Sequence, residues 1–308
     1  MSYSSNVPRE RNIGSEFMGD VHKDIIPRDI HFGISKAAQR HWFDNDLQKT
    51  AIIDCFSVAL PEGERFFIRS LTHYANKLSD KELTAEIKGY SVQEAFHTRE
   101  HLDYNNSLKA LGYDVDKMEA NLCATLKTIK SPMIRLAVTC AIEHFTAVFS
   151  FAVLRHPEVF EGADIRYRRL WTWHALEELE HMAVAIDVFK DASRDMPAWK
   201  RYFLRTGAIN GVAVTFLINY LRNVGLYARA DGEKTGIRFW ARFWWLLIVK
   251  PGFARFSLLA FLKYYLPGYD PAKERDEKLI DTWREWVDRE TSELIAKPKT
   301  APALAPAN

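Results

Sequence analysis

Apolar residues recur at helical spacing along most of the chain, and turn-forming residues divide it into blocks of helix length. The pattern predicts a first helix from Asp44 to Leu78, with Pro61 marking where it could break. Asp80-Lys81-Glu82-Leu83 reads as an N-cap and first turn, opening a second helix that reaches Leu111 and ends at Gly112. A shorter crossover helix is expected over 116–129. Ser131-Pro132 is an N-cap followed by proline at the first helical position, and it opens a helix to His156 that Pro157 stops. Asp164 caps the next helix, expected to run to Asp191. Further helical patterns lie at 198–228, 233–249, 252–265 and 271–295. Glycine and proline are sparse, 14 and 12, which favours helices over a strand-rich fold. Met1 to about Ser35 reads as irregular, and Lys297–Asn308 as a low-complexity, disordered tail.

Several of these helices carry charged residues where apolar ones belong. Glu64 shares its face with Ile53, Ser57, Leu60, Phe67, Ile68 and Leu71. Glu143 shares its face with Leu136, Thr139, Cys140, Ala147, Ser150 and Leu154. Charged groups are almost never fully buried unless paired or bound to metal. A lone buried Glu can be protonated or salt-bridged, so neither residue decides the matter by itself. Two other helices add to the pattern. Glu94 and His97 stand at i and i+3, and His174, Glu178 and His181 at i, i+4 and i+7, each set within about 60° of one helix face. Four core-facing helices thus offer Glu64, then Glu94 with His97, then Glu143, then Glu178 with His181. This is the donor inventory of the dinuclear carboxylate proteins of the ferritin-like four-helix class. Carboxylates bridge and neutralise two cations, and each imidazole adds a nitrogen ligand. The spacing fits two helical hairpins joined by one long crossover that holds the 116–129 helix.

Order and spacing resemble the ferritin-like di-iron oxygenases over roughly residues 50–190. His174 departs from their common pattern, giving His-x-x-x-Glu-x-x-His, which resembles the p-aminobenzoate N-oxygenase group, where an extra histidine binds one iron. The fuller stretches Pro61-Glu62-Gly63-Glu64-Arg65-Phe66-Phe67, Gln93-Glu94-x-x-His97-x-x-x-His101, Glu143-His144 and Trp173-His174-x-x-Glu177-Glu178-x-Glu180-His181 also resemble a bacterial family catalogued as predicted metal-dependent hydrolases. The resemblance implies an all-α, ferritin-like four-helix bundle and two metal ions, iron first, with manganese or zinc able to occupy the same donors. Glu64, Glu94, His97, Glu143, His174, Glu178 and His181 are the expected ligands.

Neighbouring residues are expected to support these ligands. His101 lies one turn beyond His97, about 10.5 Å of helix rise from Glu94, and reads as a partner of a ligand or a proton shuttle. His144, Glu177 and Glu180 point about 100° or more away from the ligand face and read as supporting or interhelical groups. Glu62 and Glu100 are expected in solvated or loop positions. Tyr90 and Tyr167 lie near the ligand faces, either to tune an oxidised metal site or as aromatic core. His22, His31, His41, His73 and His156 have no supporting constellation.

Charge narrows the partners. Lys plus Arg is 42 and Asp plus Glu is 40, a balance that argues against a nucleic-acid binder. Cys55, Cys123 and Cys140 are too few for a disulfide framework or a cysteine-based zinc site. The first 30 residues show no apolar core of signal-peptide length, and the longest uncharged run, between Arg205 and Arg222, falls short of the ~20 residues of a membrane span. A cytoplasmic protein is expected. Aromatic residues reach 13%, and many crowd into 236–266, interleaved with Arg238, Arg242, Lys250, Arg255 and Lys263. That composition suits an interfacial segment docking on the inner membrane face, extra helices packed on the bundle, or a homodimer interface.

The expected organisation is an irregular arm over 1–40, a metal-binding bundle over 41–195, additional helices over 196–296 and the tail over 297–308. The leading functional expectation is a dinuclear iron oxygenase or oxidase acting on an apolar, lipid or aromatic substrate with an external electron donor. The alternatives are a dinuclear metal-dependent hydrolase and a non-catalytic, membrane-associated metal-binding protein. Serine-hydrolase, phosphate-loop and dinucleotide motifs are absent from the sequence.

Overall fold

The computed structural model describes residues 24–78 and 80–295; the expected disordered tail and the start of the N-terminal arm lie outside them. The described chain is all-α, with α1 Leu47–Ala75, α2 Lys81–Ala110, α3 Val115–Thr128, α4 Pro132–Arg155, α5 Ile165–His181, α6 Val184–Ala192, α7 Ala198–Ala230, α8 Ile237–Ile248, α9 Phe253–Leu262 and α10 Glu277–Thr291. Two isolated bridges, Ile30 with Ile295 and Phe43 with Ala163, are its only extended pairings among the described residues.

The boundaries follow from local chemistry. Asp80 accepts from the backbone N–H of Glu82 and Leu83, and Asp164 from that of Arg166. Past α2, Gly112 takes φ 92° and the Tyr113 N–H reaches back to the Leu108 carbonyl, so a left-handed glycine closes the helix. Two expectations are corrected. α1 starts after Asp46, not Asp44, which sits at φ 58°. The helix expected over 164–191 is two helices, broken at Met182–Ala183. The Glu180 carbonyl, which an unbroken helix would give to Val184, accepts Arg275 Nη1 at 2.7 Å. Pro61, in contrast, does not break α1. Its missing N–H frees the Ser57 carbonyl, which accepts Asn105 Nδ2 at 3.4 Å instead.

α1 packs on α2, α4 on α5, α1 on α4 and α2 on α5, so the four donor-bearing helices form a closed ring compatible with the ferritin-like expectation. α3 lies in the long connection between α2 and α4, and α7 covers α1 and α4 from outside. One apolar cluster joins Ile53, Val58, Tyr104, Leu108, Phe151 and Trp171. A second joins Phe67, Leu71, Ile87, Leu136, Val184 and Val188. On α1, α2 and α4 the polar residues lie between members of the two clusters, and those of α5 lie between first-cluster residues of α5 and second-cluster residues of α6. The site is therefore a polar layer closed at both ends by hydrophobic packing.

Candidate metal centre

All seven expected ligands are buried, and the fold brings them into this one layer. Each of the two Glu-x-x-His helices supplies a carboxylate whose two oxygens face different ways. Glu94 Oε1 stands 3.2 Å from His181 Nε2, while its Oε2 stands 4.0 Å from His97 Nδ1. Glu178 Oε2 stands 3.5 Å from His181 Nε2, while its Oε1 stands 3.9 Å from His97 Nδ1 and 3.2 Å from His174 Nε2. Two lobes result. One gathers His181, Glu94, Glu178 and Glu143, whose Oε2 lies 3.6 Å from His181 Nε2. The other gathers His97, His174 and Glu178, with Glu64 and Glu94 alongside. Donors that share a cation through bonds of about 2.0–2.2 Å lie about 3.0–3.5 Å apart, so much of this geometry already suits ligation.

The donor set could also satisfy a cation. Both oxygens of Glu64 and of Glu94, the second oxygens of Glu143 and Glu178, and Nε2 of His174 and His181 have no hydrogen-bond partner. Buried polar groups without partners cost free energy, and buried charges without partners cost more. Burial, with Glu94 beside it, pushes the Glu64 carboxyl well above the usual carboxylate range. Burial and the Glu178 charge do the same to Glu143. Burial also works to raise Glu178, but the His174 and His181 imidazoles beside it outweigh burial and hold that carboxyl well below its ordinary value. Burial and neighbouring His174 push His97 well down, which keeps its imidazole neutral. Neutral imidazoles and clustered carboxylates are the forms that bind divalent metal.

His181 and His174 are each hydrogen-bonded at the other nitrogen, and His97 has a carboxylate against it there. His97 Nε2 faces Glu177 Oε2 at 3.1 Å, and Glu177 is fixed by the Arg28 backbone N–H, the Arg28 guanidinium and Trp173 Nε1. Burial, only partly offset by Arg28, pushes the Glu177 carboxyl up to about 8. His181 Nδ1 bonds Gln93 Oε1 at 2.9 Å, and Gln93 Nε2 donates to Glu180. His174 Nδ1 lies 3.1 Å from His101 Nε2. Ser57 spends its proton on Asn105 Oδ1, so it accepts from His101 Nδ1–H at 2.9 Å. His101 Nε2 is then an acceptor, His174 carries its proton on Nδ1, and His174 Nε2 keeps its lone pair for the centre. Glu64, His101 and His174 also bring donors within 4.8 Å of one another. The tautomer makes His101 the partner of His174.

The chain belongs to the family described as predicted metal-dependent hydrolase. That family matches residues 26–275, which span the whole donor set. No curated protein and no solved structure matches the chain. Membership in the metal-dependent hydrolase family agrees with the buried His and Glu groups that could hold metal.

Other expected residues divide. Tyr90 donates to Glu143 Oε1 at 2.5 Å and is part of the site. Tyr167 is core: it stacks on Trp42 at 4.2 Å. His144 bonds the Tyr269 hydroxyl and the Phe261 carbonyl, and Glu180 pairs with Arg28 and Arg284. Glu62 pairs with Arg65 at 2.6 Å. Glu100 corrects the expectation of a solvated position. It is buried and accepts from the Phe32 N–H at 2.9 Å, because the N-terminal segment lies across it. Sequence reasoning did not find Arg28, Gln93, Trp173, Ser57 or Asn105 as supports. Gln93, adjacent to Glu94 and 88 positions from His181, carried no periodic signal, and Arg28 sits in a segment without any period.

Proposed function

We propose that the chain is an enzyme built around a dinuclear metal centre, and that it hydrolyses a substrate with an apolar body. The observation that carries the dinuclear reading is the division of Glu94 and Glu178, each turning one oxygen to each lobe. Hydrolysis is supported by the family's description. Two divalent cations held by Glu64, Glu94, His97, Glu143, His174, Glu178 and His181 would supply Lewis-acid activation of water and of the scissile bond. The protein's part is positioning. Gln93 and His101 hydrogen-bond two of the three imidazoles, Glu177 stands against the third, and Tyr90 occupies one oxygen of Glu143 so that the other points inward. The apolar ends exclude bulk water.

A second reading, dioxygen activation at two iron ions with an external electron donor, is supported by the donor set of three imidazoles and four carboxylates and by the Tyr90 phenol beside it. One experiment separates the two. Metal-stripped protein is loaded with zinc, manganese or, anaerobically, iron, then given p-nitrophenyl octanoate and, separately, dioxygen. Metal-dependent ester cleavage that Glu178→Ala abolishes supports hydrolysis. Oxygen uptake by the iron form without cleavage supports the second reading.

We also propose that α8 and α9 contact an anionic lipid surface. Trp244, Trp245, Ile248, Val249, Leu258, Leu259 and Leu262 are exposed there, with Arg238, Lys250 and Arg255 exposed among them. Apolar and basic side chains on one exposed face suit an anionic bilayer. Phe239, Phe243 and Phe253 turn inward and anchor the pair to the core.

A further inference from the structure

A cavity of about 290 Å³ lies between α1, α3, α4 and α7, outside the ring and separate from the donor layer. On α1 its wall runs from Cys55 to Phe67, about 18 Å of helix at 1.5 Å per residue, and on α7 from Gly207 to Asn223, about 24 Å. The cavity is therefore elongated along these two helices. Its polar wall groups are already used: Tyr220 donates to the Ile52 carbonyl, Asn223 to the Met118 carbonyl, and Asn219 to the Thr215 carbonyl. The one charged wall residue, Glu119, accepts from Asn105. The wall is mostly apolar and suits an apolar ligand.

α7 leaves the room. Gly207 and Gly211 stand one turn apart in the middle of a long helix, and a Cβ added at either would meet nothing within 4 Å. Glycine inside a helix is destabilising by roughly 0.5–1 kcal/mol relative to alanine, and no turn or positive φ requires it at either position. On the facing side, Leu60, Gly63 and Phe67 bracket Glu64, and Ile142 and Thr146 bracket Glu143. The turns that aim these two carboxylates into the centre thus form the inner wall of the cavity.

We propose that this cavity holds a single linear aliphatic chain, the apolar part of the substrate, with the reacting end passing between α1 and α4 toward Glu64 and Glu143. The orientation rests on the proposed metal centre, whereas chain binding does not. The test is calorimetric titration of the full, metal-loaded protein with octan-1-ol, decan-1-ol and dodecan-1-ol, and with pyrene as a wide probe. Affinity rises with each added methylene pair in the wild type, and pyrene does not bind. Gly211→Phe fills the cavity from open space and weakens dodecan-1-ol binding about tenfold or more, the worth of a few buried methylenes, with metal content unchanged. Gly207→Leu does the same should Gly211→Phe fold poorly, and Gly211→Ala binds as the wild type. Glu178→Ala still binds the alcohols, so loss of the metal reading and loss of the chain reading are told apart. The proposal is overturned if the wild type binds no alcohol, if pyrene binds as well, or if the folded cavity-filling variants bind like the wild type.

Discussion

A histidine can ligate only through a nitrogen that carries no proton, and the partner on the opposite nitrogen sets which one that is. For His174 the partner is His101, itself set by Ser57 and Asn105. His101→Ala is therefore expected to lower metal affinity at the proposed centre by about 10–100-fold, and His101→Gln, whose amide oxygen can accept from His174 Nδ1–H, should recover part of it. Competition titration against a chelator measures this; unchanged affinity in His101→Ala would remove His101 from the account. The seven donors were legible because carboxylates and imidazoles on apolar helix faces break a pattern. Their supports were not, because Arg28 and Gln93 are ordinary polar residues whose role exists only once distant segments meet.

Among the elements, Asp54 ties three helices and the N-terminal segment together. It sits on α1 and accepts from Tyr104 of α2 at 2.5 Å, Tyr227 of α7 at 2.8 Å and Trp42 at 2.8 Å. Burial outweighs these three hydrogen bonds and raises its carboxyl from 3.8 to about 6. The folded state then holds a proton that the unfolded chain has released, so this group's contribution to stability falls as pH rises from about 4 to about 6 and is level above. The size is up to about 3 kcal/mol. Denaturant unfolding across that window should show the fall in the wild type and lose it in Asp54→Asn; parallel profiles would contradict it. Caps and glycine stops made most helix boundaries readable, as at Asp80 and Gly112. The break after His181 was not readable, since Met182-Ala183 contains no breaker and Arg275, far along the chain, takes the freed carbonyl.

For the whole molecule, the buried and exposed apolar residues separate by region. α4 is long and apolar enough to cross a membrane, yet most of it is buried inside the ring. α8 with the segment Phe253–Tyr265 reaches the same apolar length only as a pair bent by 62°, and its outer side is open. A bent, half-exposed pair suits lying in an interface better than spanning it. The protein is expected to co-sediment with anionic vesicles, less at high salt, and Trp244→Glu with Trp245→Glu should abolish this while metal content stays. Unfolding of that variant, or a wild type indifferent to vesicles, would place these aromatics in core packing alone. The sequence already held the membrane, core-packing and dimer readings of this stretch, and one-dimensional composition could not sort Phe243, which is buried, from Trp244, which is not. The central claim is the proposal that this polar layer would hold two cations, with Glu94 and Glu178 each offering an oxygen to both lobes. Elemental analysis of purified protein against protein concentration tests it most directly. Two tightly bound divalent ions per chain are expected, with both lost in Glu178→Ala; at most one ion per chain, or a Glu178→Ala variant that keeps the wild-type content, would contradict it.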